Sequence, residues 1–359
     1  MFKFKTMRVM LAGGLTAALL ASASFGAFAK EYKLIMSSSH PPIVPWVKTL
    51  KTLVVPEANK RLKAMGSPHR IKWTEAYAGA LYNFQNTLEG IEQGLGDIGW
   101  IGTLWEPVKM PLHNVAYYAT FAASNPMDLM EIQEDLEANF APFGNEWTKR
   151  NVKFLGAQVV DSYQLMTKKP IKRYEDVKGL KLLAPGAIAA LTSNTGAIPV
   201  DGGLPVFYNI MKTGVADGAI IITTGMVPFK LHEVAPYITK FDFGAVISGG
   251  LGMNMDTWDG LPKDVQKVFL GLGKDYARTQ TKLVMGFEKA SLTKILPKGG
   301  AKISTPSQAE RKRWALAMKD VAGDWARDLE KKGIPAKALL AKFMSEVKKR
   351  GGKPLRDWK

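Results

Sequence analysis

The sequence predicts an α/β protein of two domains, and three observations carry that expectation. A strand–helix–strand rhythm occurs twice, first from Tyr32 to Ile101 and again from Val152 to Ile222. No proline falls between Pro262 and Pro297, where helix formers dominate. Roughly 30 helical residues there would reach about 45 Å, more than one small domain is wide. Residues 30–359 are also enough for one large or two ordinary domains.

In the first unit, Tyr32 to Met36 reads as a strand running into the loop Ser37-Ser38-Ser39-His40-Pro41-Pro42. Trp46, Leu50, Leu53 and Val54 then recur at helical spacing, and the helix is expected to pass Pro56 with a kink. Arg70 to Glu75 alternates as a second strand and turns at Ala78-Gly79-Ala80. Asn83 to Gly94 reads as a helix stopped by glycine, and Asp97 to Ile101 as a third strand. The second unit starts at Val152, with further strands at Ser162–Met166 and Leu180–Leu183. Helices are expected at Ile188–Thr195 and around Val206–Lys212, and Gly214–Ile222 closes the unit. Both units predict mainly parallel sheets with helices on their faces.

Gly271, Gly273 and Gly286 are expected to weaken the long helix locally. A capping box, Ser307-x-x-Glu310, opens a last helix. Its stripe Trp314, Met318, Val321, Trp325 and Leu329 reads as packing before Gly333. The basic end KKRGGKPLRDWK is expected to be loosely held.

Residues 1–29 have the form of a secretory signal peptide. Lys3, Lys5 and Arg8 precede the apolar run Val9–Leu20, and Ala27-Phe28-Ala29 forms the cleavage site. Its removal takes the formal charge from +17 to +14. Lys and Arg are spread along the chain without a nucleic-acid module, so a general field that draws anions is the reading. Cysteine is absent, which excludes thiolate catalysis and sulfur-ligated metal.

No catalytic constellation emerges. His40, His69, His113 and His232 do not fall in a metal-binding spacing, and neither a nucleophile elbow nor a Walker loop is present. Gly202-Gly203 is too short to cradle phosphates, and Glu89/Glu92 reads as a solvated helix face. The chain is therefore read as a binding protein without enzyme activity, cofactor or metal. In α/β sheets ligands collect beyond the carboxyl ends of the strands. The loops there hold the candidate ligand-binding residues His40, Trp46, Tyr77, Thr103, Trp105, Tyr163, Leu183, Pro185, Phe207, Tyr208, Ile221 and Thr223. Their aromatic and aliphatic character is that of a small-molecule pocket.

One block is more specific. Gly179 to Glu233 reads GLKLLAPG…TGAIPVDGGLPVFYNIMKTGVADGAIIITTGMVPFKLHEV. It resembles the central segment of the periplasmic solute-binding proteins of TRAP transporters, the DctP-like family, whose usual form is close to GLKIRVPG…LGANPVPMPWSEVYTALQTGVVDGQENP…FKLYEV. NMDTWDGLPKDVQK, from Asn254 to Lys267, also looks like that family's lead into its long helix. The resemblance implies a periplasmic binding-protein fold, with hinge strands near Gly156 and Phe243 and a long helix spanning both domains. It places domain I at residues 30–155 plus 244–287 and domain II at 156–243 plus 288–359. It further implies a periplasmic monomer that hands one small-molecule solute to the small and large TRAP permease subunits.

The family's carboxylate-gripping positions have changed. Its arginine matches Leu183, its Glu-Asn pair matches Ile220 and Ile221, and Ser162-Tyr163-Gln164 occupies the place of a second arginine. A carboxylate buried without a partner costs several kcal/mol. The expected ligand is therefore apolar or amphipathic, aromatic or fused-ring, with any acid group near the cleft mouth beside Lys168 or Lys169. Two alternatives stay open: a conventional organic acid held by a relocated cation, and a periplasmic sensor subunit.

Overall fold

A computed structural model describes residues 30–359; the signal peptide read at 1–29 lies outside the described residues. Eleven strands are present among them: β1 Glu31–Ser37, β2 Arg70–Ala76, β3 Ile98–Gly102, β4 Val152–Val160, β5 Tyr163–Thr167 and β6 Lys181–Leu183, then β7 Ile198–Val200, β8 Gly218–Ile222, β9 Tyr237–Thr239, β10 Val246–Asn254 and β11 Lys302–Ser304. They form two sheets, of order β2-β1-β3-β10-β4 and β11-β9-β5-β8-β6-β7. Helices cover both, giving the two-domain α/β architecture expected.

The sheets are mixed rather than wholly parallel. β1 runs parallel to β2 and β3, whereas β10 is antiparallel to β3 and β4. In the second sheet β5 is antiparallel to β8 and β9. The cause is topological. The chain leaves the first sheet from β4 into β5 through Asp161-Ser162, and returns from β9 into β10 through Phe241–Ala245. One connection departs and the other arrives, so β4 and β10 lie side by side in opposite directions. The two crossings are themselves hydrogen-bonded: Tyr163 N–H donates to Gly244 O (3.1 Å) and Phe243 N–H to Tyr163 O (3.0 Å).

β10 is a strand that its glycines disguise. A Cβ at Gly249 would lie 1.8 Å from Ile101 O, and one at Gly252 would lie 2.7 Å from Ile101 and Val152 side chains. Neighbouring side chains fill the surface that this strand leaves bare.

Both prolines at the helix irregularities are handled alike. The helix beginning at Pro45 passes through a π turn, Leu50–Val54, before Pro56, with Val55 N–H donating to Leu50 O. The long helix Lys263–Ala290 ends in a second π turn, Ser291–Ile295, before Pro297. Widening to i→i+5 bonds absorbs the missing N–H and the ring clash that proline imposes. The long helix packs along β4 and against the Pro45–Ala64 helical segments, and it reaches Thr223–Met226 beyond β8.

Gly273 does more than weaken that helix. A Cβ there would meet Leu155 O at 2.0 Å, and a Cβ at Gly156 would meet Gly273 O at 2.1 Å. Helix and strand touch backbone to backbone at this point. Gly286 has open space around it.

Three local expectations are corrected. Ile188–Thr195 is not an α-helix but part of a 3₁₀ run, Gly186–Thr192. The C-terminal stripe is split into helices Gln308–Ala317 and Val321–Glu330, because Asp320 caps the second through Gly323 N–H (3.2 Å). Only half of the capping box forms: Ser307 Oγ accepts from Glu310 N–H (3.1 Å), while Glu310 turns to Tyr174 N–H (2.8 Å). The tail is fixed as well. Trp358 is buried and donates to Thr120 O (2.7 Å), and Arg356 donates to Ala315 O (3.0 Å) and Met318 O (2.6 Å).

A buried charge cluster braces the first sheet from behind. His113 is bonded to Glu146 through Nδ1 (2.7 Å) and to Glu137 through Nε2 (3.0 Å), and its ring stacks on Phe143 at 3.8 Å. Burial alone would lower its pKa; the two carboxylates outweigh it and push it up to about 9. A folded-state pKa raised above the unfolded value gives stability that is full below about 6.5. Unfolding midpoints should therefore fall as pH rises from 6.5 through 9, and His113→Ala should lose about 3–5 kcal/mol by denaturant titration, since two buried carboxylates lose their partner.

Two of the three glycines of the long helix, Gly273 and Gly286, should respond oppositely to alanine. Gly273→Ala should destabilise by about 1–3 kcal/mol through overpacking. Gly286→Ala should stabilise by about 0.5–1 kcal/mol through helix propensity. Paired thermal melts check both.

Candidate functional site

All the cavity-forming segments emerge on one edge. β1, β3, β4, β6, β7 and β8 deliver their carboxyl ends there, and the antiparallel β5 and β10 deliver their starts. Ser37 leads to His40, and Pro45 at the first helical turn aims Trp46. β3 carries Trp100 and turns at Gly102 into Thr103–Trp105. From the other sheet come Tyr163 at the start of β5, Pro185 after β6, Leu204 and Phe207 after β7, and Ile221 and Ile222 in β8.

Two close approaches join the lobes. Gly186, at φ +54°, would place a Cβ 2.8 Å from Leu104 O, and Gly203 would place one 2.8 Å from the Phe84 ring. Between them lies a cavity of ≈ 50 Å³ lined by residues of both lobes. Its first-lobe wall is an aromatic array. His40 meets Trp46, Phe84 and Trp100 edge-on at 5.6, 4.5 and 4.8 Å, and Phe84 meets Trp105 at 3.7 Å. A cavity that takes up benzene is about 150 Å³. The cavity is thus smaller than a ring-sized solute needs.

Seven predicted residues line the cavity: His40, Trp46, Trp105, Tyr163, Pro185, Phe207 and Ile221. Five lie outside its lining. Thr103 and Thr223 are fully buried beside the wall residues Leu104 and Ile222. Leu183 is buried within β6, its side chain turned to Gly202. Tyr208 donates to Glu233 (3.2 Å), away from the cavity. Tyr77 stands near Glu75, and burial pushes its phenol up. Sequence reading missed Phe84, Trp100, Val160, Ile188, Leu204 and Ser248, which also line the cavity. Phe84 and Leu204 open short 3₁₀ turns with no periodicity to mark them.

The electrostatics are unusual for a chain this basic. Among the described residues no Lys or Arg lines the cavity. Its single histidine, His40, is held down to a pKa of about 3 by burial and stays neutral. Lys168 does not stand at the mouth: it follows Thr167 at the far end of β5, five residues or about 17 Å from Tyr163. Two buried carboxyls adjoin wall residues: Glu106 follows Trp105, and Asp161, which follows Val160, accepts from the Thr224 N–H (3.1 Å) and hydroxyl. Burial pushes Asp161 up to about 6, and Glu288 is pushed up by burial and by Asp161.

A larger groove of ≈ 370 Å³ runs past Phe121–Asn125, Asp242 and the tail. Its arginines are already engaged, Arg311 by Phe241 O (2.7 Å) and Asp242 O (3.4 Å), and Arg350 by Glu346 and Glu131. The interlobe cavity is the candidate site.

Residues 38–328 match the family described as bacterial extracellular solute-binding protein, family 7 (DctP). The chain belongs to this family. DctP proteins are solute-binding proteins rather than enzymes. Among curated relatives, a solute-binding protein of Albidiferax ferrireducens is 27% identical over 149 residues, 41% of this chain and 44% of that protein. A protein of Haemophilus influenzae is 24% identical over 344 residues, 90% of this chain and 98% of its own. Two solved TRAP solute-binding proteins share the fold. The one from Sulfitobacter sp. NAS-14.1, with bound β-D-galacturonate, has a TM-score of 0.74 at 21% identity, covering 88% of this chain and 100% of its own. The one from Rhodoferax ferrireducens T118, with copurified benzoate, has a TM-score of 0.74 at 21% identity, covering 89% and 98%. Among the described residues of this DctP protein, no helix is long and apolar enough to cross a membrane.

His40 supplies a pH signature of the closed cleft. A histidine whose folded pKa is lowered gives stability that is full above about 6.5 and is lost as pH falls toward about 3. The His40 ring carbon resonances should show no titration between pH 5 and 8. Titration near pH 6.5 would place the ring in water.

Proposed function

We propose that this chain is the extracytoplasmic solute-binding subunit of a TRAP-type secondary transporter. It captures one apolar or amphipathic ring compound between two closing domains and delivers it to the small and large membrane permease subunits. The observation that carries the ligand class is the cavity wall: mostly indole, phenyl, proline and branched aliphatic groups, with His40, Tyr163 and Ser248 as its polar members and no Lys or Arg among the described residues. Burying such surface contributes about 25 cal/mol per Å², and one aromatic side chain brings 150–250 Å². A short dicarboxylate would find no positive partner in that wall. Benzoate in the Rhodoferax neighbour is in keeping with a ring-sized ligand.

The lobes that close are taken as those carrying the two sheets, with the first boundary at the end of β4 instead of at Gly156 inside it. The crossings at Asp161-Ser162 and Phe241–Ala245 act as the hinge, and the long helix backs it. The cavity's small volume supports a closing motion, since entry and release both require the Gly186–Leu104 and Gly203–Phe84 contacts to separate.

Thermal unfolding against two ligand panels tests this reading. One panel holds short dicarboxylates and sugar acids; the other holds neutral and acidic ring compounds. At a hundred times its dissociation constant a ligand should stabilise by about 2.7 kcal/mol. Ring compounds should raise the melting temperature and succinate or malate should not. A response confined to short dicarboxylates or sugar acids would overturn the ligand class.

A further inference from the structure

Three indoles face the cleft, and they are not treated alike. Trp100 Nε1 donates to Gln158 Oε1 at 3.0 Å. Trp46 Nε1 and Trp105 Nε1 are buried from solvent and have no hydrogen-bond partner among the described residues, although both residues line the cavity. The buried hydroxyls of Thr103 and Thr223, directly beside wall residues Leu104 and Ile222, are also without partners. An indole nitrogen can only donate. Leaving a buried donor unpaired costs about 1–3 kcal/mol, so two such groups in one wall point to an acceptor that arrives with the ligand.

The charge around them selects the kind of acceptor. His40 lies between the two indoles, in edge contact with Trp46 and with Phe84, which in turn contacts Trp105, and it is neutral. Asp161 lies behind the wall, two residues from Tyr163 and bonded to Thr224. Glu288 and Asp242 add further carboxyls on that side, Glu288 facing Lys240 and Asp242 paired with Arg311 at 3.8 Å. A ligand carboxylate would thus lose its hydration to neutral donors with acidic groups behind them. A carbonyl or ether oxygen accepts the same N–H groups without that repulsion.

We propose that the ligand of this cleft is an uncharged ring compound whose polar anchor, a carbonyl or ether oxygen, is received by the indole N–H groups of Trp46 and Trp105. This rests on the reading of the cleft as a site for ring compounds and departs from recognition of an acid by a cation. It also explains how the site dispenses with arginine at position 183: Leu183 lies off the cavity wall, and no charge needs to be met.

Isothermal titration of the full mature chain with matched ring triplets tests it. Each triplet has a ring bearing a carboxylate, the same ring bearing a methyl ketone, and the same ring bearing only an alkyl group, in one-ring and two-ring series. In the series that fits, the ketone should bind at least tenfold more tightly than the carboxylate. Trp46→Phe and Trp105→Phe keep an aromatic side chain but remove the donor, and the alkyl compound controls for the smaller ring. Each should weaken the ketone more than the alkyl compound, by up to about tenfold. Neither indole makes a bond within the protein, and circular dichroism checks that both variants are folded. Tighter binding of the carboxylate than of the ketone would overturn the proposal and leave the ring-compound cleft standing. Equal loss for ketone and alkyl partners in both variants would also overturn it. Binding of no ring compound at all would sink the cleft reading together with the proposal.

Discussion

The contact on which the rest depends is backbone on backbone. At Gly156 and Gly273 the long helix and β4 approach so closely that neither side has room for a Cβ. That approach fixes the helix as a rail beside β4. β4 pairs with β10 along nearly its whole length, with register shifts at Ile247/Gly249 and Leu251/Gly252. Two of the three chain crossings between the sheets join this pair directly to the second sheet, and the third runs from β10 through the long helix to β11. A firm β4–β10 ladder with short crossings at one end is the geometry a hinge needs: a rigid base, and a few residues that can rotate.

The cleft inherits its position from that base. Because β4 leaves and β10 returns at the carboxyl edge of the first sheet, the aromatic loops of one lobe face the apolar strand ends of the other. Among the described residues its wall holds no Lys or Arg, its one histidine is neutral, and the Asp161 and Glu288 carboxyls lie buried nearby. The positive charge lies elsewhere on the surface, where it governs encounter and solubility rather than recognition in the pocket.

Much of this was legible in the sequence, and the limits have physical causes. β1, β2 and β3 could be placed within a residue or two because apolar alternation marks a half-buried strand, and turns at Gly79 and Gly94 bracket them. β10 could not, because VISGGLGMN reads as a loop until the side chains of Ile101, Val152 and Phe154 are seen to cover its glycines. The TGVADG turn marked the family, and the loops at strand ends supplied seven residues of the cavity wall. Phe84, Trp100 and Ile188 escaped because their places depend on how the lobes meet, which local pattern does not encode. The tail misled for a similar reason. Its basic composition describes a solvated segment, yet Arg356 satisfies the closing carbonyls of a helix forty residues earlier, and Trp358 fills the gap beside Thr120.

The substitution at Leu183 shows why a family pattern cannot be read one position at a time. Taken alone, leucine in place of arginine looks like a pocket wall turned apolar. In the structure Leu183 packs on Gly202, and the wall is built by Pro185, Ile188, Leu204, Phe207 and Ile221 instead. A charged anchor in this cleft would require the wall, the neutral His40 and the Asp161 carboxyl to change together. Ligand class here is a property of the whole enclosure, and the unpartnered indoles are the part of it that the solute has to complete.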